Sequence, residues 1–107
     1  MDDQFKVMRE NAGRATDFLA SMANPSRLMI LCLLSQREMT VGELGSALSI
    51  SQSALSQHLA ILRREDIVQT RREAQFIWYS LKGEEAQRII AILYDAFCAP
   101  TADRPRP

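Results

Sequence analysis

The chain has 107 residues, room for one domain, and 47% of them are apolar, enough for a modest core. Its 13 basic residues are balanced by 13 acidic ones, which excludes a histone-like binder that holds polyanions by net charge alone. A reader of specific DNA remains open, because there the placement of charge matters more than its sum.

At the N-terminus, Met1-Asp2-Asp3-Gln4 lacks the basic start and apolar core of a signal peptide. The longest apolar run, residues 28–34, is far too short for a membrane span. A cytoplasmic protein is therefore expected, with no membrane partner and with Cys32 and Cys98 resting as thiols. Residues 5–22 predict a helix: Ala12, Ala15, Phe18, Leu19 and Met22 recur at helical steps, with Lys6, Arg9, Glu10 and Arg14 opposite. Asn24 is a good cap, and Pro25 loses no hydrogen bond at the first helical position. The helix they open, residues 25–36, is apolar nearly all round, so it is expected to be central and buried.

Thr40 and Glu43 have the spacing of a capping box. They open a short helix, 41–48, with Leu44, Ala47 and Leu48 facing inward. After Ser49-Ile50, Ser51 caps a further helix, 52–65, whose apolar face is Leu55, Leu59 and Leu62. Two short capped helices on a tight turn outline a helix-turn-helix. Residues 67–71 and 76–81 predict a β-hairpin with 72–75 as its polar tip. The last helix, 84–97, carries Ala86, Ile89, Ile90, Leu93, Tyr94 and Phe97, a broad apolar stripe for the tail of a small domain. Residues 1–100 are expected to form the folded domain, and 101–107 a disordered tail.

The exposed start of helix 52–65 offers Gln52, Ser53, Ser56, Gln57 and His58. A recognition helix enters the major groove by its N-terminal half, where Gln reads adenine and Ser either partner. The capped N-terminus itself favours phosphate. From residue 51 to 82, Arg63, Arg64, Arg71, Arg72 and Lys82 outnumber Glu65, Asp66 and Glu73, a local basic excess in a neutral chain. Arg71 and Arg72 are expected at the hairpin turn with Gln75, where a wing meets the DNA backbone or minor groove. His58 has no Cys or His at ligand spacing, so contact with DNA or a neighbouring helix suits it better than a metal. No nucleophile, base and acid stand together as an enzyme requires. A protein-interaction module is the alternative from a different class, since a Ser/Gln-rich face is also what plain solvated surface looks like.

Four stretches carry a resemblance: Ala23-Asn24-Pro25-Ser26-Arg27-Leu28, Thr40-Val41-Gly42-Glu43-Leu44, Leu48-Ser49-Ile50-Ser51-Gln52-Ser53-Ala54-Leu55-Ser56-Gln57-His58-Leu59 and Thr70-Arg71-Arg72-Glu73-Ala74-Gln75. Together, over residues 18–98, they resemble the ArsR/SmtB family of bacterial repressors. The resemblance implies a mainly α winged helix-turn-helix of five helices plus one β-hairpin wing. It also implies a homodimer through the first and last helices, bound to a palindromic double-stranded DNA operator. Metal sensors of that family carry a Cys-x-Cys motif where this chain has Val41-Gly42-Glu43-Leu44, or histidines along a last helix that here, at 89–97, has none. No metal or other cofactor is expected. Cys32 in the central helix and Cys98 at the end of the last are similar in placement to the branch typified by BigR, SqrR and HlyU. That branch senses reactive sulfur species or oxidants through two cysteines. The resemblance thus implies a switch in which a Cys32–Cys98 link alters the spacing of the two recognition helices, which must enter grooves roughly 34 Å apart. The alternative within the class is a winged-helix regulator or anti-silencer without a thiol switch.

Overall fold

The structure, a computed structural model, describes residues 3–98; the tail 101–107 lies outside the described residues. Among them the order is α1 (Asp3–Met22), α2 (Pro25–Leu34), β1 (Met39–Thr40), α3 (Val41–Leu48), α4 (Gln52–Arg64), β2 (Val68–Glu73), β3 (Phe76–Leu81) and α5 (Glu85–Phe97). The mainly α winged helix-turn-helix is as expected.

The helix starts follow from side chains that accept otherwise orphaned backbone N–H groups. Asn24 Oδ1 accepts from the Arg27 N–H at 3.1 Å, with Pro25 leading α2. At α3 the Glu43 N–H donates to Thr40 Oγ1 at 3.2 Å and the Thr40 N–H donates back to Glu43 Oε1 at 3.0 Å, closing the capping box. Ser51 Oγ accepts from the Ala54 N–H at 3.1 Å and starts α4. Between α3 and α4, Ser49 closes the first helix in the left-handed region, at φ 56°.

The core gathers on α2, which packs against every other helix and against β3. Ile30, Leu31, Leu44, Leu55, Leu62 and Ile67 are its fully buried side chains. The expectation that α2 is enclosed all round is corrected in part. Its Ile30–Leu31–Leu34 side is buried, but Met29 is 49% exposed and Cys32 only half-buried. The helix also stops at Leu34, before residue 36, where the Ser35 hydroxyl donates back to the Cys32 carbonyl at 2.6 Å. On α1 the predicted apolar stripe is largely uncovered: Ala12, Ala15 and Leu19 are exposed, Phe18 is half-buried, and Met22 is buried.

The sheet has the order β1-β3-β2, with both pairings antiparallel. β2 and β3 pair from Val68↔Leu81 to Glu73↔Phe76, which leaves Ala74 and Gln75 as a two-residue turn. The predicted tip, 72–75, is therefore too wide. Arg71 and Arg72 are not at the turn but in β2, opposite Trp78 and Ile77. β1 was not foreseen, because two residues are too few to show a period; it pairs Met39↔Tyr79 and Thr40↔Trp78.

Candidate nucleic-acid interface

α4 turns Leu55, Leu59 and Leu62 into the core. At 3.6 residues per turn, Gln52, Ser53, Ser56, Gln57, Ala60, Arg63 and Arg64 then share the outer face, and all are exposed. Among the described residues, the side chains of Gln52, Ser53, Ser56, Gln57 and Arg63 make no hydrogen bond or ion pair. The face is thus a patch of donors and acceptors not spent on the protein itself. Ser51 satisfies the N–H of Ala54 only, so the α4 N-terminus keeps further N–H groups directed outward.

His58 behaves differently from its neighbours. It is half-buried, with Nδ1 3.2 Å from Nη1 of Arg27. A guanidinium only donates, so Nδ1 accepts and the ring proton belongs on Nε2. Arg27 Nε also donates to the Ser21 carbonyl at 2.7 Å, near the end of α1. One side chain of α2 therefore joins α1 to α4. Of the two partners expected for His58, DNA or a neighbouring helix, the second is occupied. Arg27 was missed as a partner; the pair is 31 residues apart, and no spacing rule reaches that far.

The wing divides its two arginines. Arg72 and Gln75 are exposed and make no side-chain hydrogen bond or ion pair among the described residues. Arg71 is engaged: Nε donates to Glu38 Oε2 at 2.9 Å and Nη2 to Glu38 Oε1 at 2.8 Å, while Nη1 lies 3.6 Å from Glu73. Its guanidinium carbon also stands 5.6 Å from the ring centroid of Trp78. The hydrogen bonds from Arg71 hold the Glu38 carboxyl below its usual value, and in return Glu38 raises that of Arg71. Glu38 and Trp78 were absent from the sequence-based reading of the wing.

This geometry has close counterparts. Residues 24–70 match the bacterial regulatory protein, arsR family. The transcriptional activator HlyU of Vibrio cholerae serotype O1 is 50% identical over 91 residues, 85% of this chain and 84% of that protein. The chain belongs to the ArsR family. The biofilm growth-associated repressor of Agrobacterium fabrum is 47% identical over 94 residues, 88% of this ArsR-family chain and 80% of the relative. The solved structure of HlyU from Vibrio cholerae N16961 superposes with a TM-score of 0.82 at 49% identity, covering 86% of this chain and 100% of that one. The ArsR-family chain is accordingly a transcription regulator and not an enzyme, and its relatives include a named activator and a named repressor.

Outside the α4–wing surface, this ArsR-family chain has two free thiols. Cys32 lines a cavity of about 430 Å³ between α2 and α5, with Ser35, Gln87, Ile90, Tyr94 and Asp95. Cys98 is exposed at the end of α5, where its N–H donates to the Tyr94 carbonyl at 2.8 Å. No group of three or more His, Cys, Asp or Glu able to hold a metal occurs among the described residues. No helix among them is long and apolar enough to cross a membrane.

Proposed function

We propose that this regulator is a homodimeric, cytoplasmic repressor that binds a palindromic DNA site, and that modification of Cys32 and Cys98 switches the binding. The observation that carries the DNA reading is the outer face of α4. Gln52, Ser53, Ser56 and Gln57 are exposed and unengaged there, and such groups suit the edges of bases in the major groove. Arg63 at the far end of α4, with Arg72 and Gln75 on the wing, supplies the contacts to backbone phosphate. His58 and Arg71, expected at the interface from sequence, support it from behind through Arg27 and Glu38. Dimerisation is supported by large apolar side chains left exposed on the two terminal helices: Phe5, Val7 and Met8 on α1, and Ile92, Tyr94 and Phe97 on α5. Exposed apolar surface is what subunit contact would cover.

The thiol switch rests on Cys32 in one cavity and on Cys98 at the end of the helix that helps to line it. Cys32 lines it, and Cys98 follows by one helical turn Tyr94, which lines it too. In forming a disulfide the two thiols release two protons and two electrons. An organic persulfide accepts them and leaves as a thiol and hydrogen sulfide. The new bond ties the end of α5 to α2, against which α4 packs. A coupling of about 1–3 kcal/mol would change DNA affinity roughly 5- to 150-fold.

One observation favours a regulator without the switch. Among the described residues the cavity lining includes Asp95 and neither Lys nor Arg, so none of them supplies the cation that commonly stabilises a reactive thiolate. A single experiment separates the two readings. The reduced protein is titrated against a duplex that it has itself selected from a random pool, then treated with an organic persulfide and analysed by intact mass. The switch predicts release, added sulfur or loss of two protons, and no release from Cys32→Ser. Unmodified mass with full binding leaves the regulator and removes the switch. Failure to select any DNA removes the DNA reading itself.

A further inference from the structure

The point where the wing leaves the body of the protein is set by the sheet register. β1 contributes only two residues, and its outermost pairing is Thr40↔Trp78. On the other side of β3, Trp78 faces Arg71. Thr40, Trp78 and Arg71 therefore make the last row with three strands. Beyond it the hairpin continues as a two-stranded ribbon, Arg72↔Ile77 and Glu73↔Phe76, with all of residues 71–77 exposed. An isolated two-stranded ribbon is marginally stable and holds no fixed direction of its own.

At this root three side chains meet on one face of the sheet. Trp78 and Arg71 are directly opposite, so they share a face. Glu38 stands just before β1, and its contact with Arg71 brings its carboxylate to the same face. The Glu38–Arg71 contact thus crosses over the central strand, with the guanidinium 5.6 Å from the indole centroid beneath it. It is bidentate, at 2.9 and 2.8 Å, the geometry that fixes orientation as well as distance. The third nitrogen, Nη1, faces Glu73 at 3.6 Å. Every guanidinium nitrogen of Arg71 is turned to a carboxylate, and Arg71 with Glu38 and Glu73 sums to one net negative charge. A DNA phosphate would have to displace two acids from a site that repels it. Among the described residues its neighbour Arg72 has no such partners.

We propose that Glu38, Arg71 and Trp78 form a clamp at the root of the wing, and that Arg71 is a positioning residue that aims the hairpin instead of a phosphate contact. The proposal rests on the reading of the wing as a DNA-binding element, but the clamp can be tested with and without DNA. Trp78 is the chain's one tryptophan, so its fluorescence reports on this site alone.

The test uses the full chain and a mixed-sequence duplex of about 30 base pairs, with the dissociation constant measured over a range of salt, because each phosphate contact contributes to the salt slope whatever the sequence. Acrylamide quenching of Trp78 is measured on the same proteins without DNA. Glu38→Gln and Arg71→Ala are expected to weaken binding about five-fold, the order of a good surface ion pair, with an unchanged salt slope and increased quenching. Arg72→Ala is expected to lower the slope by about one per protomer. The exchanged pair Glu38→Arg with Arg71→Glu should recover both affinity and protection of Trp78. Recovery by the exchanged pair also shows that the chain folds with both positions altered. The clamp is overturned if Arg71→Ala lowers the slope as Arg72→Ala does, if the exchanged pair binds no better than Arg71→Glu alone, or if Glu38→Gln leaves quenching unchanged. If instead Arg72→Ala does not alter the slope, it is the wing's contact with DNA that fails, and quenching decides the clamp.

Discussion

Replacing Ser51 separates the stability of α4 from its use. In Ser51→Ala the hydroxyl that accepts the Ala54 N–H at 3.1 Å is lost, at a cost of about 1 kcal/mol for a helix cap. For a domain of this size that lowers Tm by roughly 4–8 °C. In Ser51→Asp a carboxylate takes over the same N–H and also lies favourably at the positive end of the helix, contributing about 0.3–1 kcal/mol. Stability should therefore match or exceed that of the parent. Binding should not. If the α4 N-terminus faces backbone phosphate, the added charge lies about 6 Å from it, and a unit repulsion screened between water and a protein surface amounts to about 0.7–2.8 kcal/mol. That is roughly 3- to 100-fold in dissociation constant per protomer. Melting by circular dichroism and titration by fluorescence anisotropy at one fixed salt concentration measure the two effects on the same samples. A Ser51→Asp protein that melts like the parent and binds DNA equally well would refute the proposed orientation of α4.

Leu62→Ala, at a fully buried position of α4, is expected to cost about 2–5 kcal/mol by chemical denaturation; a cost below about 1 kcal/mol would mean that this layer of the core relaxes around the cavity. Ala74 holds φ at 56° in the hairpin turn, a conformation that favours glycine at the first position of a two-residue turn. Ala74→Gly should raise Tm, and a lower Tm would contradict the turn assignment. In the folded chain the Glu38 and Glu43 carboxyls are both held below their ordinary value, Glu38 chiefly by hydrogen bonds from Arg71 and Glu43 chiefly by the Thr40 backbone N–H. Lowered folded values mean that their contribution is complete above the unfolded value and is lost as pH falls through the folded one. Melts between about pH 6 and pH 3 should thus show a flatter acid limb in Glu38→Gln than in the parent; identical limbs would exclude the Arg71 contact in solution. For the proposed homodimer, Tm should rise with protein concentration, and a Tm independent of concentration would argue for a stable monomer.

The parts of this molecule legible in its sequence are those with local causes. Asn24, Thr40, Glu43 and Ser51 each act within one turn of themselves, and Leu55, Leu59 and Leu62 mark the inner face of α4 by their spacing alone. The wing was harder. Its turn has no glycine or asparagine to announce it, because Ala74 takes the positive φ instead. Arg72 and Glu73 lack the β-branched character that would have extended the predicted strand to residue 73. Arg71 and His58 meet partners far away in the chain: Glu38 lies 33 positions from Arg71, and Arg27 lies 31 from His58. A single sequence gives the charge of such groups but not which of them meet.

Arg27 gives the molecule a mechanical property that its core cannot supply. Close-packed side chains resist small displacements and tend to shift all together or not at all. The Ser21–Arg27–His58 connection lies at the edge of that packing and consists of two polar contacts on one long, jointed side chain. It can lengthen, rotate or exchange a partner for water while the leucines beneath stay in place. A displacement of α1 then has a compliant route to α4. It works as a flexible coupling between α1 and α4.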